Sequence, residues 1–490
     1  MQGLEIVLLV LYGLCLAFIL GFSLTQFHLT RLARRAYARP PRPVPPAPAH
    51  WPRVTVQLPI YNELYVVERI IEAAAGLDYP ADKLHIQVLD DSTDETVALA
   101  AAAVARHQAQ GLRITQVRRP TRDGYKAGAL AYGLQETDGE FIAIFDADFV
   151  PEPDFLRRTV PYFAEAATGV VQTRWTHLNE EYSLLTELQA FGLNAHFLVE
   201  QVGRNRGGHF INFNGTGGVW RRQCIEDAGG WHADTLTEDL DLSYRAQLRG
   251  WHFVYLPGVQ APAELPAELP ALKSQQHRWT KGAAETARKH LRQVLRSGQS
   301  TSTKLHAAFH LLNSTVFVAI LLMAVLSVPL LYIREFEPRF QPVFRLASVC
   351  ILGFLPLTYY FYTAWRVGAP AGRLREFVPR FLLFLAVTMG LSLHNSRAVL
   401  AGLARRPSAF IRTPKMGLVK RQGTWIGRQY RTGRLDGLTV LEGLLALYFL
   451  FGLGLGLYLR SYGLLPFHSL LTVGFGLIFY YSLRHNRANS

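Results

Sequence analysis

The sequence predicts an α/β domain with a mostly parallel sheet, joined to an α-helical membrane region. Three observations carry this. Between Arg53 and Asp146, short β-branched runs alternate with helical patterns, the order expected of a parallel sheet covered on both faces. Five apolar runs, at 4–27, 307–333, 346–365, 438–459 and 463–483, are each long enough to cross about 30 Å of hydrocarbon. The excess positive charge, +14 over 490 residues, gathers beside those runs.

Taken in order, residues 1–30 read as a membrane helix. They lack a basic leading segment and their apolar run is long for a cleaved signal, so a retained anchor is expected. Residues 31–52 form a basic linker with Arg31, Arg34, Arg35, Arg39 and Arg42, stiffened by the proline-rich stretch Pro40–Pro48. Residues 53–300 form the aqueous domain. Strands are expected at Val54–Leu58, Ile86–Asp90, Arg113–Val117 and Phe141–Asp146, with helices at about Leu64–Ala75, Glu95–Gln110 and Lys126–Glu136. Residues 301–490 return to the membrane. Within them 376–404 reads as an interfacial or re-entrant helix, because its apolar part runs into His394, Asn395, Ser396 and Arg397. The stretch 405–435 follows, with nine Lys/Arg and no acidic residue between 405 and 434.

Those basic stretches and the tail residues Arg484 and Arg487 are expected on the cytoplasmic side, with the large domain. Parity then holds for five spans, while six follow if 376–404 crosses. Nucleic-acid binding is excluded as the reason for the charge, since its place beside the spans explains it. An apolar content of 49% with 18% charged residues excludes a disordered chain. Cys15, Cys224 and Cys350 suggest no disulfide framework, which suits a reducing compartment for the domain. No internal repeat is visible, which weakens an inverted-repeat transporter.

The chemistry is sought at the carboxyl ends of the strands, where ligands of such sheets bind. Asp90-Asp91 follows the second strand, and Asp146-Ala147-Asp148 the fourth. Side chains at i and i+2 of an extended chain share a side, so Asp146 and Asp148 can converge on one hard cation such as Mg²⁺ or Mn²⁺. A single acidic strand end is commonly only a turn or cap; two at one rim are less easily explained so. Thr237-Glu238-Asp239 reads as a helix N-terminus, which also orients carboxylates rigidly. Gln275-Gln276-His277-Arg278-Trp279 sits shortly before the membrane, where an Arg beside a Trp is also an interface anchor.

In this order, Asp-Asp, Asp-x-Asp, Thr-Glu-Asp and Gln-x-x-Arg-Trp, the chain resembles the processive family 2 glycosyltransferases, and within them the cellulose-synthase-like glucomannan (β-mannan) synthases and bacterial homologues. Gly124-Tyr-Lys-Ala-Gly-Ala-Leu130 and Phe213-Asn-Gly-Thr-Gly-Gly-Val-Trp220 belong to the same resemblance, which covers about residues 53–290. It implies a GT-A type nucleotide-sugar-binding domain. By that resemblance Tyr61, Asn62, Glu63, Asp90 and Asp91 would hold the nucleoside, and Lys126 would reach the phosphates. Asp148, supported by Asp146, would bind the divalent ion. Asp239, with Thr237 and Glu238 beside it, would be the general base of a single inverting displacement. Gln275, Arg278 and Trp279 would contact diphosphate and acceptor, and the glycine-rich Asn214, Gly215 and Thr216 would support the acceptor site. Phe410-Ile-Arg-Thr-Pro-Lys415 resembles the Phe-x-Val-Thr-x-Lys gating loop, with Arg412 where Val is expected; Phe410, Thr413 and Lys415 would gate.

The expected activity is therefore inverting, metal-dependent transfer from UDP-glucose or GDP-mannose to a growing β-linked polysaccharide, secreted through the spans. Two alternatives stay open: transfer of one sugar to a lipid acceptor, and a transporter or scaffold with an inactive domain. Arginine outnumbers lysine, which hints at a GC-rich bacterial genome and hence at the bacterial plasma (inner) membrane.

Overall fold

A computed structural model of the chain describes residues 2–40, 43–369, 371–430 and 436–487. Pro41 and Arg42 of the linker, and residues 431–435 of the basic stretch, lie outside the described residues. Among the described residues the aqueous domain holds seven strands: β1 (Val54–Ile60), β2 (Leu84–Asp90), β3 (Ile114–Val117), β4 (Phe141–Ile144), β5 (Thr168–His177), β6 (Gly218–Arg221) and β7 (His252–Ala263). They form one sheet in the order β3-β2-β1-β4-β6-β5-β7. Only β6 runs antiparallel to its neighbours β4 and β5.

The four strands expected from the sequence are β1–β4, and the helices between them are Val67–Ala75, Thr96–Ala109 and Tyr125–Gln135. Alternation sorts their residues. Val54, Val56, Leu58 and Ile60 share one buried layer with Val67, Ile70 and Ile71, while Ile142 and Ile144 share another with Leu130 and Trp220. Each such side chain contributes about 1.5–3 kcal/mol on burial. Parallel registers pair Ile60 with Asp90 and Gln57 with Ile144. The segments leaving β1, β2 and β4 therefore emerge at one rim. The helix Tyr125–Gln135 lies close on the sheet because Gly133 has no Cβ, which would stand 2.6 Å from Leu89 Cδ2.

Sequence and structure differ at three boundaries. The first helix runs Gln2–Tyr37, through Arg31, Arg34 and Arg35, since nothing stops it before Pro40. The expected run 307–333 is divided: Ala307 and Leu311 belong to a separate helix, Thr301–Leu311, that packs with Leu240, Tyr244 and Val294 of the aqueous domain. The glycine-rich segment after Phe213 is a loop only in part, because its end, Gly218–Trp220, is in β6.

Among the described residues five helices are long and apolar enough to cross a bilayer: Gly3–Tyr37, Asn313–Phe336, Pro338–Gly368, Gly437–Tyr458 and Tyr462–Asn486. The segment expected to be interfacial is a pair of helices, Leu374–Gly390 and Ser392–Leu403, bent by 48°. The first crosses Leu465–Arg487 with backbones touching, for a Cβ on Gly474 would run into the Ala386 carbonyl.

Candidate active site

The rim of the sheet opens on a cleft. Tyr61, Glu63 and Asp91 reach it from the ends of β1 and β2, and Asp146 and Asp148 from the end of β4. Asn214 and Gly215 enter from the loop before β6, and Thr237, Glu238 and Asp239 from the N-terminus of the helix Glu238–Leu248. Gln275, Arg278 and Trp279 come from the long helix Leu269–Arg296, and Phe410, Thr413 and Lys415 from the basic stretch. Residues spread over more than 350 positions of sequence thus face one space.

Three of the expected site residues stand apart from the cleft. The Asp90 carboxylate accepts from Ser92 N at 2.8 Å and from Gln116 Nε2 at 2.8 Å, tying β2 to β3. Asn62, at φ +54°, accepts from Thr93 N at 2.9 Å and so joins the β1 and β2 exits. Thr216 is buried, and its hydroxyl accepts from Asp146 N at 2.9 Å. All three shape the rim instead of lining it.

The charges in the cleft are paired. Lys126 Nζ donates to Asp146 at 2.5 Å and to the Gly215 carbonyl at 2.9 Å. Burial alone would lower the Lys126 ammonium, but Asp146 and Glu238 outweigh it and raise its pKa, holding the charge. Its position depends on the tight Gly124–Gly128 turn, where Gly124 has φ +69° and a Cβ on Gly128 would run into the Asp123 carbonyl. Lys415 Nζ donates to Asp148 at 2.7 Å. Arg412 pairs with Glu63 at 2.9 Å, yet burial still pushes the Glu63 carboxyl up to about 8. The Asp91 carboxylate is gripped by both Nε and Nη2 of Arg119, at 2.8 and 2.6 Å.

Asp239, like Glu63, is a carboxylate held high by its surroundings. Burial raises its carboxyl well above the ordinary range, the neighbouring Glu238 adds to this, and Lys126 opposes it. The helix that carries it is pinned to Leu269–Arg296 by Asp241, which meets His290 and Lys289, each at 2.7 Å. Burial works against that carboxylate too, but His290, Lys289 and Arg245 hold it far below its usual value.

Asp146 and Asp148 together offer hard oxygen donors at one rim, each now balanced by an ammonium group. That donor set fits a divalent ion with places left for phosphate oxygens. Arg278 Nε is buried in the same cleft with no partner, a donor suited to an anionic group.

Four residues escaped the sequence reading. Arg119 and Arg122 follow β3, outside the motifs of the sequence; Arg122 lies 3.3 Å over the Tyr61 ring. Arg412 was noted only as a departure from a motif. His196 sits in a single π turn, His196–Glu200, and meets Asn214 Oδ1 at 3.1 Å; no local pattern marks it.

A family model described as "Glycosyltransferase like family 2" matches residues 52–282. Glucomannan 4-beta-mannosyltransferase 1 of Oryza sativa subsp. japonica is 37% identical over 384 residues, covering 75% of this chain and 70% of that one. Glucomannan 4-beta-mannosyltransferase 1 of Cyamopsis tetragonoloba is 35% identical over 457 residues, covering 87% and 82%. Among solved structures, a mannosyltransferase from Pyrobaculum calidifontis in complex with GDP-Man and Mn²⁺ matches with a TM-score of 0.56 at 21% identity, over 82% of this chain and all of that one. That likeness concerns the fold alone. With curated relatives this similar over most of their length, the chain belongs to the family 2 glycosyltransferases, the family of the glucomannan 4-beta-mannosyltransferases, and is a nucleotide-sugar-dependent glycosyltransferase.

Proposed function

We propose that the protein is a membrane-embedded, inverting β-glycosyltransferase that extends a β-linked glucan- or mannan-type polysaccharide from UDP-glucose or GDP-mannose and secretes it. Its catalytic domain faces the cytoplasm at the bacterial plasma membrane. The mannosyl activity in the relatives' names favours GDP-mannose of the two donors. The observation that carries the reading is the meeting, in one cleft, of Asp239, the Asp146/Asp148 pair and the Gln275–Trp279 segment.

In this mechanism Asp239 accepts the proton of an acceptor hydroxyl. The freed oxygen forms a bond to the anomeric carbon as the bond to the diphosphate breaks, and nucleoside diphosphate leaves. One displacement inverts the centre, so an α-linked donor yields a β-glycoside. The raised Asp239 carboxyl makes it a stronger base than an exposed aspartate. Asp146 and Asp148 would hold Mg²⁺ or Mn²⁺, which supplies charge stabilisation to the departing diphosphate. Lys126 and Arg278 add positive charge around the same group. The Trp279 ring suits the apolar face of a pyranose, and Phe410, Thr413 and Lys415 close the mouth.

The test is direct. Purified protein in lipid nanodiscs is given Mg²⁺ or Mn²⁺ with radiolabelled UDP-glucose or GDP-mannose, and products are sized before and after endo-β-glucanase or endo-β-mannanase. A long polymer cut by the matching enzyme is expected. A single-sugar product that partitions into organic solvent would overturn polymerisation, and no incorporation from either donor would overturn the donor assignment.

A further inference from the structure

Away from the cleft, three histidines from distant parts of the chain meet where the first helix joins the aqueous domain. His28 lies on Gln2–Tyr37, His209 just after the short helix Gln201–Arg206, and His306 on Thr301–Leu311. The first two segments approach so closely that a Cβ on Gly203 would run into the Leu29 carbonyl. Each ring offers one nitrogen to a common point, and the three lie within 4.8 Å of one another. His209 and His306 are only 8% and 3% exposed.

The hydrogen bonding around the rings is incomplete in a specific way. His28 Nδ1 meets His306 Nε2 at 2.7 Å, and His209 Nδ1 meets Thr303 Oγ1 at 3.2 Å. His209 Nε2 and His306 Nδ1 are buried with no partner, although buried polar atoms are normally satisfied. A hydroxyl on Nδ1 of one histidine, with Nε2 left bare, is the arrangement that orients a metal-binding imidazole. Burial, with Arg204 nearby, pushes His209 down to about 4; burial, His209 and Arg204 push His306 down to about 3. The Arg204 charge that faces them is itself balanced by Glu200 at 2.8 Å. Nothing in the glycosyl-transfer mechanism uses these groups.

We propose that His28, His209 and His306 form a second metal site, selective for a nitrogen-seeking divalent ion such as Zn²⁺ and separate from the oxygen-donor site of the cleft. Three imidazoles suit Zn²⁺ and hold Mg²⁺ or Mn²⁺ poorly. The bound ion ties the membrane helix to two segments of the catalytic domain, and water completes its coordination.

The experiment uses full-length protein in nanodiscs, with D146N/D148N to disable the cleft. Samples are stripped with chelator, loaded with Zn²⁺, desalted and analysed for metal. One equivalent of zinc per chain is expected, falling below about a tenth of an equivalent when H28Q or H306Q is added. The Co²⁺-loaded protein should show the strong visible absorption of a tetrahedral nitrogen site. His28 is exposed, so H28Q tests the site without disturbing a packed interior; in otherwise wild-type protein Zn²⁺ should raise the melting temperature, and H28Q should abolish that rise. Absence of zinc in D146N/D148N, or its undiminished retention in both histidine variants, would overturn the proposal.

Discussion

The two walls of the catalytic cleft are built on different terms. One wall is the rim of the sheet, where Asp91, Asp146 and Asp148 stand on backbone fixed by parallel strand pairing and by buried layers on both faces. The other is the segment 410–415, which has no regular structure and is held through side chains: Phe410 against Tyr125, Arg412 on Glu63, Thr413 accepting from Arg278 at 3.1 Å, and Lys415 on Asp148. The first wall is held by the sheet itself. The second is attached to the residues that a donor and its ion would engage, so it is positioned by the contents of the site.

Substitutions can break this contrast. Asp239→Asn removes the base with little change of volume and should lower kcat by about 10²–10⁴-fold, with the melting temperature unchanged; a smaller loss would take Asp239 out of the reaction. Ile142→Ala hollows the layer beneath the rim and should cost about 2–5 kcal/mol of stability in a denaturation experiment. Ile411→Ala, in the opposite wall where that side chain is exposed, should stay within about 0.5 kcal/mol, and equal destabilisation by the two would erase the distinction. Lys415→Ala frees Asp148 from its ammonium partner and should lower the Mn²⁺ concentration for half-maximal turnover several-fold, as read from a cation titration.

The smallest effect concerns pH. In the proposed mechanism Asp239 acts deprotonated, and its carboxyl is raised by burial and Glu238. Activity should therefore fall with acidification at a pH above that of an ordinary carboxylate. Glu238→Gln removes the like charge and should move that acid limb downward. A limb that stays in place would show that another group controls it.

Much of the first wall was legible in the sequence. β1–β4 announce themselves as β-branched runs, those of β1, β2 and β4 leading into Asn or Asp, and parallel pairing alone brings those exits together. β6 and β7 were missed for identifiable reasons. β6 opens on Gly218, inside the glycine-rich segment that reads as a loop. β7 contains Pro257 and Gly258, which argue against a strand, and the register between Thr173 and Arg174 jumps from Leu256 to Gln260 to accommodate them. The second wall was visible only through the Phe410–Lys415 motif. That Arg412 would find Glu63, or Arg119 grip Asp91, depends on contacts between segments that no local pattern encodes.

One earlier detail sets how far the second wall can travel. Helix Leu269–Arg296 holds the segment at its near end, where Lys281 Nζ donates to the Arg406 carbonyl at 2.7 Å and to Ser408 Oγ. At the far end Met416 N donates to Glu264 at 2.8 Å. The chain free to rise is thus the short arc 409–415, with a contour of about 25 Å when fully drawn out. Anchored at both ends, it is a tether of fixed length along the cleft that Phe410, Arg412, Thr413 and Lys415 line.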